Sequence, residues 1–106
     1  MIGGRILEGS DALILKLARE IALTHHERWD GTGYPFGLER DEIPMSGRIV
    51  AVVDAYDVLV HNRVYHEAVS TDEAAARMRA SRETHFDPFV LDIFLDLLPF
   101  LDELPG

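Results

Sequence analysis

His25 and His26 stand side by side, followed at once by Glu27 and by the loop Asp30-Gly31-Thr32-Gly33-Tyr34-Pro35. Imidazole nitrogens and carboxylate oxygens are common ligands of divalent metal ions. Neighbouring residues on a helix point about 100° apart. The two histidines can therefore lean into one cavity while addressing different points in it, which suits two neighbouring ions better than one. The alternative is a helix-terminal pair favoured by the helix dipole. Asp54 offers a carboxylate among Val50, Ala51, Val52, Val53 and Val58. An ionised group in such apolar company needs a partner. That partner is either a metal ion or an arginine: Arg48, Arg63 or one from the segment ARMRASR. Asp57, one turn on, is the exposed alternative.

The run from His26 to Asp30 looks like the H-E-x-x-H zinc-protease motif with Asp in the last place. That motif needs both ligands on one continuous helix. Gly31 and Gly33 follow directly, so Asp30 is expected to open a turn instead. Those glycines permit positive φ and close backbone approach. His61, Arg63, Tyr65 and His66 cluster after the third helix, where they could meet a phosphate or form an ordinary solvated helix end. His85, beside Asp87, reads as structural.

The elements that must position these groups read as helices. MIGGRILEGS looks like the end of a helix, and Gly9 with Ser10 is expected to break the chain. Ser10 or Asp11 then caps DALILKLAREIALTHHE, whose apolar stripe is Ile14, Leu17, Ala18, Ile21 and Ala22. Residues 28 to 45 form a long loop, expected to be ordered through Trp29, Tyr34 and Phe36. SGRIVAVVDAYDVLVHNR follows, with Ser46 as its expected cap. STDEAAARMRAS opens with a capping box of Ser70 and Glu73. FDPFVLDIFLDLL has Asp87 as cap and Pro88 at the first helical position. Phe89, Ile93, Phe94 and Leu97 are its expected core stripe. Pro99 ends it, and PFLDELPG is read as a short terminal turn.

With 106 residues the chain has room for one domain. It has no cysteine, which excludes disulfides and thiolate sites and suits a cytoplasmic setting. Nineteen acids against ten Lys and Arg give a net charge of -9. That argues against binding a nucleic-acid polymer through its phosphates. It leaves open a small phosphate ligand, because a metal ion supplies local positive charge. No apolar run is long enough to span a bilayer.

Taken together, HHERWDGTGYP, IPMSGRIVAVVDAYDVL, NRVYHEA, STDEAAARMR and THFDP resemble the HD-GYP family of metal-dependent phosphohydrolases, over nearly the whole chain. The resemblance implies an all-α fold, the C-terminal portion of an HD-domain helical bundle with a long GYP loop between helices. It implies hydrolysis of cyclic di-GMP or another cyclic dinucleotide by a metal-activated water, with two or three divalent ions, commonly iron or manganese, in a complete domain. By position, His25, His26 and Asp54 correspond to metal ligands. Gly33, Tyr34 and Pro35 are the GYP signature near the substrate entrance, and Arg63 matches an arginine expected to hold a substrate phosphate.

The sequence also departs from the family pattern. No His-Asp pair occurs anywhere in it. The histidine expected just before the "IG" pair is missing, and His66 stands where a lysine is usual. Residues 1–106 are therefore expected to form a partial HD-GYP domain without its HD-bearing helices. Such a chain should bind metal weakly or not at all and have little phosphodiesterase activity. The competing expectation is a non-catalytic helical binding module. Without the HD-bearing helices, the faces carrying Ile14, Leu17, Val50 and Val53 are expected to lie open and favour self-association.

Overall fold

The computed structural model describes the backbone of residues 8–61 and 68–103 and the side chains of residues 11–61 and 68–100. Four helices account for most of it: α1 (Glu8–Thr24), α2 (Met45–His61), α3 (Thr71–Ala80) and α4 (Pro88–Leu97). Among the described residues there is no strand, only an isolated bridge between Arg82 and Phe86. The all-α expectation holds.

Local sequence explains most helix ends. The Ser70 hydroxyl accepts the Glu73 N–H at 3.1 Å and starts α3. Asp87 starts α4 by accepting the Phe89 and Val90 N–H groups, with Pro88 in the first turn. After Leu97 the chain tightens into a 3-10 turn, Leu98–Glu103, that contains Pro99. Two expected caps are replaced. α1 runs through Gly9 and Ser10, because one interior glycine costs only about 1 kcal/mol and does not stop a helix propagating from Ala12 onward. Ser46 lies inside α2, and its hydroxyl donates to the Glu20 carboxylate of α1 at 3.1 Å.

The core lies where α2, α3 and α4 meet, built from Val52, Ala75, Met78, Phe86, Leu91, Leu95 and Leu98. This corrects the expected α4 stripe. Phe89, Ile93 and Leu97 are exposed, and only Phe94 is half-buried, edge-on to Tyr56. α4 is apolar round most of its circumference, so two stripes compete and periodicity cannot choose between them. The losing stripe joins Met45, Ile49 and Val53 of α2 to line an apolar groove of about 380 Å³. Ile14, Leu17 and Val53 are exposed as expected, while Val50 is half-buried.

α1 packs on α2 where Gly47 is buried against Thr24; a Cβ at position 47 would overlap the Thr24 hydroxyl. This crossing fixes where the C-terminal end of α1, and so His25 and His26, stands against the face of α2 that carries Asp54. None of the helices is long and apolar enough among the described residues to cross a membrane.

Candidate active site

α1 ends at Thr24, and the chain turns at once. The His25 N–H still donates to Ile21 O at 3.0 Å, and the Glu27 N–H closes a tight turn onto Thr24 O. The His25 ring makes its own bond to the helix, with Nδ1 2.7 Å from Ile21 O. A carbonyl only accepts, so Nδ1 carries the proton and the neutral ring keeps its lone pair on Nε2. That is the tautomer a metal ligand needs, with a backbone carbonyl orienting the ring from behind.

The His26 ring lies 3.9 Å from that of His25, centroid to centroid, and 4.9 Å from that of Tyr34, on which it stacks. The Tyr34 N–H donates to His26 O, so the GYP segment folds back over the helix end. Gly33 makes this approach possible: a Cβ there would overlap the backbone of His26 and Arg28. Gly31, at φ +86, supplies the positive dihedral.

His25, His26, Arg28, Gly33, Tyr34 and Asp54 all line one cavity of about 540 Å³. Arg77 of α3 and His85 also line it. Pro35 does not line it, and Arg63 lies outside the described residues. Asp54 differs from its expected setting. It is exposed to the cavity rather than buried among the valines, because Val52 faces the core and the next two residues turn outward. Arg48 is not its partner, being taken by Asp87 at 2.9 Å. Among the described residues, no three His, Asp or Glu side chains converge closely enough to hold one ion. The two histidines and Asp54 thus share a cavity without meeting at one point. Imidazole nitrogen and carboxylate oxygen are donors of the kind that divalent metal ions accept, and these three would supply only part of a coordination shell.

Asp30 is not on a helix with His26, which removes the zinc-protease pattern. Its carboxylate accepts both the hydroxyl and the N–H of Thr32, and the hydroxyl bond chiefly holds it below the ordinary carboxylate range. The Trp29 and Asp30 N–H groups donate to His85 O and Thr84 O, tying the loop to the turn before α4. His85, read from sequence as structural, has both roles: its backbone anchors the loop and its ring lines the cavity. Burial, then the Arg28 charge, push its imidazole below the ordinary histidine value.

Sequence reasoning missed Glu27. Its side chain is almost fully buried, and its two oxygens accept the Phe36 N–H at 2.7 Å and the Leu38 N–H at 2.8 Å. It orders the loop more directly than the aromatic residues do, since Tyr34 and Phe36 are exposed and only Trp29 is half-buried. A signal was present: a lone acid entering a glycine-rich loop whose N–H groups need acceptors.

The HD domain family matches residues 3–90. A probable cyclic di-GMP phosphodiesterase of Vibrio cholerae is 49% identical over 89 residues, covering 84% of this chain and 20% of that protein. A cyclic di-GMP phosphodiesterase of Thermotoga maritima is 49% identical over 96 residues, covering 91% of this chain and 26% of that protein. The chain thus spans about a quarter or less of the length of these relatives. The crystal structure of a cyclic GMP-AMP-specific phosphodiesterase of V. cholerae superposes with a TM-score of 0.62 at 24% identity, over 82% of this chain and 22% of that one, and shares its fold. From the HHERWDGTGYP segment to the helical frame around it, the chain belongs to the HD-domain family, in its HD-GYP branch.

Proposed function

We propose that this chain is the C-terminal part of a cyclic dinucleotide phosphodiesterase domain, with His25, His26 and Asp54 forming one wall of its metal centre. The observation that carries the reading is that these three side chains come from two separate segments and line one cavity together with Gly33 and Tyr34. The kinship with phosphodiesterases of cyclic di-GMP and cyclic GMP-AMP supports a cyclic dinucleotide as substrate. When bound, divalent ions, iron or manganese by family, supply water activation and charge neutralisation at the phosphodiester.

The chain's own residues do the positioning. The Ile21 carbonyl holds the His25 ring through Nδ1, and Nε2 has no partner among the described residues. Tyr34 stacks on His26 and limits the rotation of its ring. Arg63 is the expected phosphate holder. Three ligands split between ions leave each shell short, so the isolated chain binds metal weakly and turns over little substrate.

Calorimetric titration of Mn²⁺ into the purified chain and into His25→Ala, His26→Ala and Asp54→Ala variants tests this. Weak binding that each substitution abolishes is expected; binding indifferent to all three would sink the reading. Brisk cyclic di-GMP hydrolysis by the 106-residue chain would overturn the incomplete-site part. A second reading, a non-catalytic interaction module, is favoured by the apolar groove between α2 and α4. Tight self-association without any affinity for metal or cyclic dinucleotide would select it.

A further inference from the structure

The described residues lining the cavity carry two fixed cations, Arg28 and Arg77, and one fixed anion, Asp54. In a chain of net charge -9, this reverses the general balance at one place. The two arginines also differ from others in the fold. Arg48 bonds Ile43 O and Asp87, and Arg82 commits three nitrogens to Asp92 and Glu83. Arg77 engages Glu73 through Nε alone, at 2.9 Å, which leaves its outer fork free among the described residues. Arg28 stands 3.9 Å from Asp30, beyond hydrogen-bond reach. Both guanidinium groups keep donors available in the geometry that matches phosphate oxygens.

Building on the phosphodiesterase reading, we propose that Arg28 and Arg77 form a second phosphate subsite, apart from the wall of His25, His26 and Asp54. A cyclic dinucleotide carries two phosphodiesters. Only one is cleaved in a given event, yet both bring negative charge into the cavity, and the second needs its own counter-charge. Arg28 comes from the loop that carries the GYP segment and Arg77 from the last turn of α3. A phosphate bound by these guanidinium groups would register the ring in the cavity. It would favour a substrate with two phosphates over a mononucleotide.

Equilibrium dialysis of cyclic di-GMP and of GMP against the purified 106-residue chain, in EDTA, tests this. The metal-free condition separates it from the metal reading. Arg28→Gln and Arg77→Gln should each weaken cyclic di-GMP binding by about tenfold, with a shallower salt dependence. Glu73→Gln, which frees the Arg77 Nε, should tighten it, a gain that misfolding cannot imitate. Arg79→Gln, on the same helix and outside the cavity lining, should change nothing. No binding by the wild-type chain, wild-type-like binding by both cavity variants, an equal loss in Arg79→Gln, or equal affinity for GMP would overturn the proposal. If the arginine effects persist while Mn²⁺ binding ignores His25→Ala and Asp54→Ala, the subsite stands and the metal reading falls.

Discussion

Arg48 donates to Asp87 across 2.9 Å, and both side chains are largely removed from water. The other Asp87 oxygen caps α4. One carboxylate therefore joins α2 to the first turn of α4.

Asp87→Ala removes the cap and strands the Arg48 charge, so a loss of about 3–5 kcal/mol is expected in urea denaturation. Asp87→Asn keeps a capping oxygen and should lose clearly less. An Asn variant as stable as wild type would show that the ion pair contributes nothing.

Glu27→Gln places an amide group where one of two N–H groups needs an acceptor. A loss of about 1–3 kcal/mol is expected, because a buried donor goes unsatisfied. The Phe36 and Leu38 amides should exchange faster with solvent, while those of the α4 core should slow or speed only with global stability. Unchanged protection at both loop amides would contradict the role given to Glu27.

His85 sets a pH dependence. Burial first, and the Arg28 charge second, depress its folded value below the ordinary 6.5, with Asp30 pulling weakly the other way. The unfolded chain then binds a proton that the folded chain refuses. The associated stability is complete above 6.5 and is lost as pH falls from there through the depressed folded value. The urea midpoint of the wild type should fall more steeply over this window than that of His85→Gln. Parallel profiles would exclude the effect.

The groove between α2 and α4 predicts association. Ile93, which lines it, is about half exposed. Sedimentation of the wild type should show concentration-dependent oligomers, and Ile93→Glu should shift them to monomer. A wild type that stays monomeric at high concentration would remove this expectation.

What the sequence made legible was short-range. Ser70, Asp87 and Pro88 start their helices through groups within four residues, so those roles could be read directly, whereas the pairing of Asp87 with Arg48, 39 residues away, could not. The Gly31 and Gly33 turn was legible for the same reason. Choices between faces were not. Asp54 sits in a valine run that turns from core to cavity within two residues, and α4 offers two apolar stripes of similar strength. Only packing decides such cases. Glu27 was hidden because its partners, Phe36 and Leu38, lie nine and eleven residues away across the loop. That His25 and His26 lean into one cavity was read from their spacing, whereas their grouping with Asp54 was expected from the family resemblance.

Trp29 is the sole tryptophan. Its N–H bonds His85 O, its carbonyl accepts from Arg40, and its ring borders the small space beside Arg48 and Asp87. The chain thus carries an optical probe at the seam between loop and helices. Its emission follows the docking of that loop, whereas far-ultraviolet dichroism follows the four helices. The two signals divide one unfolding curve into the release of the site and the melting of the frame that holds it.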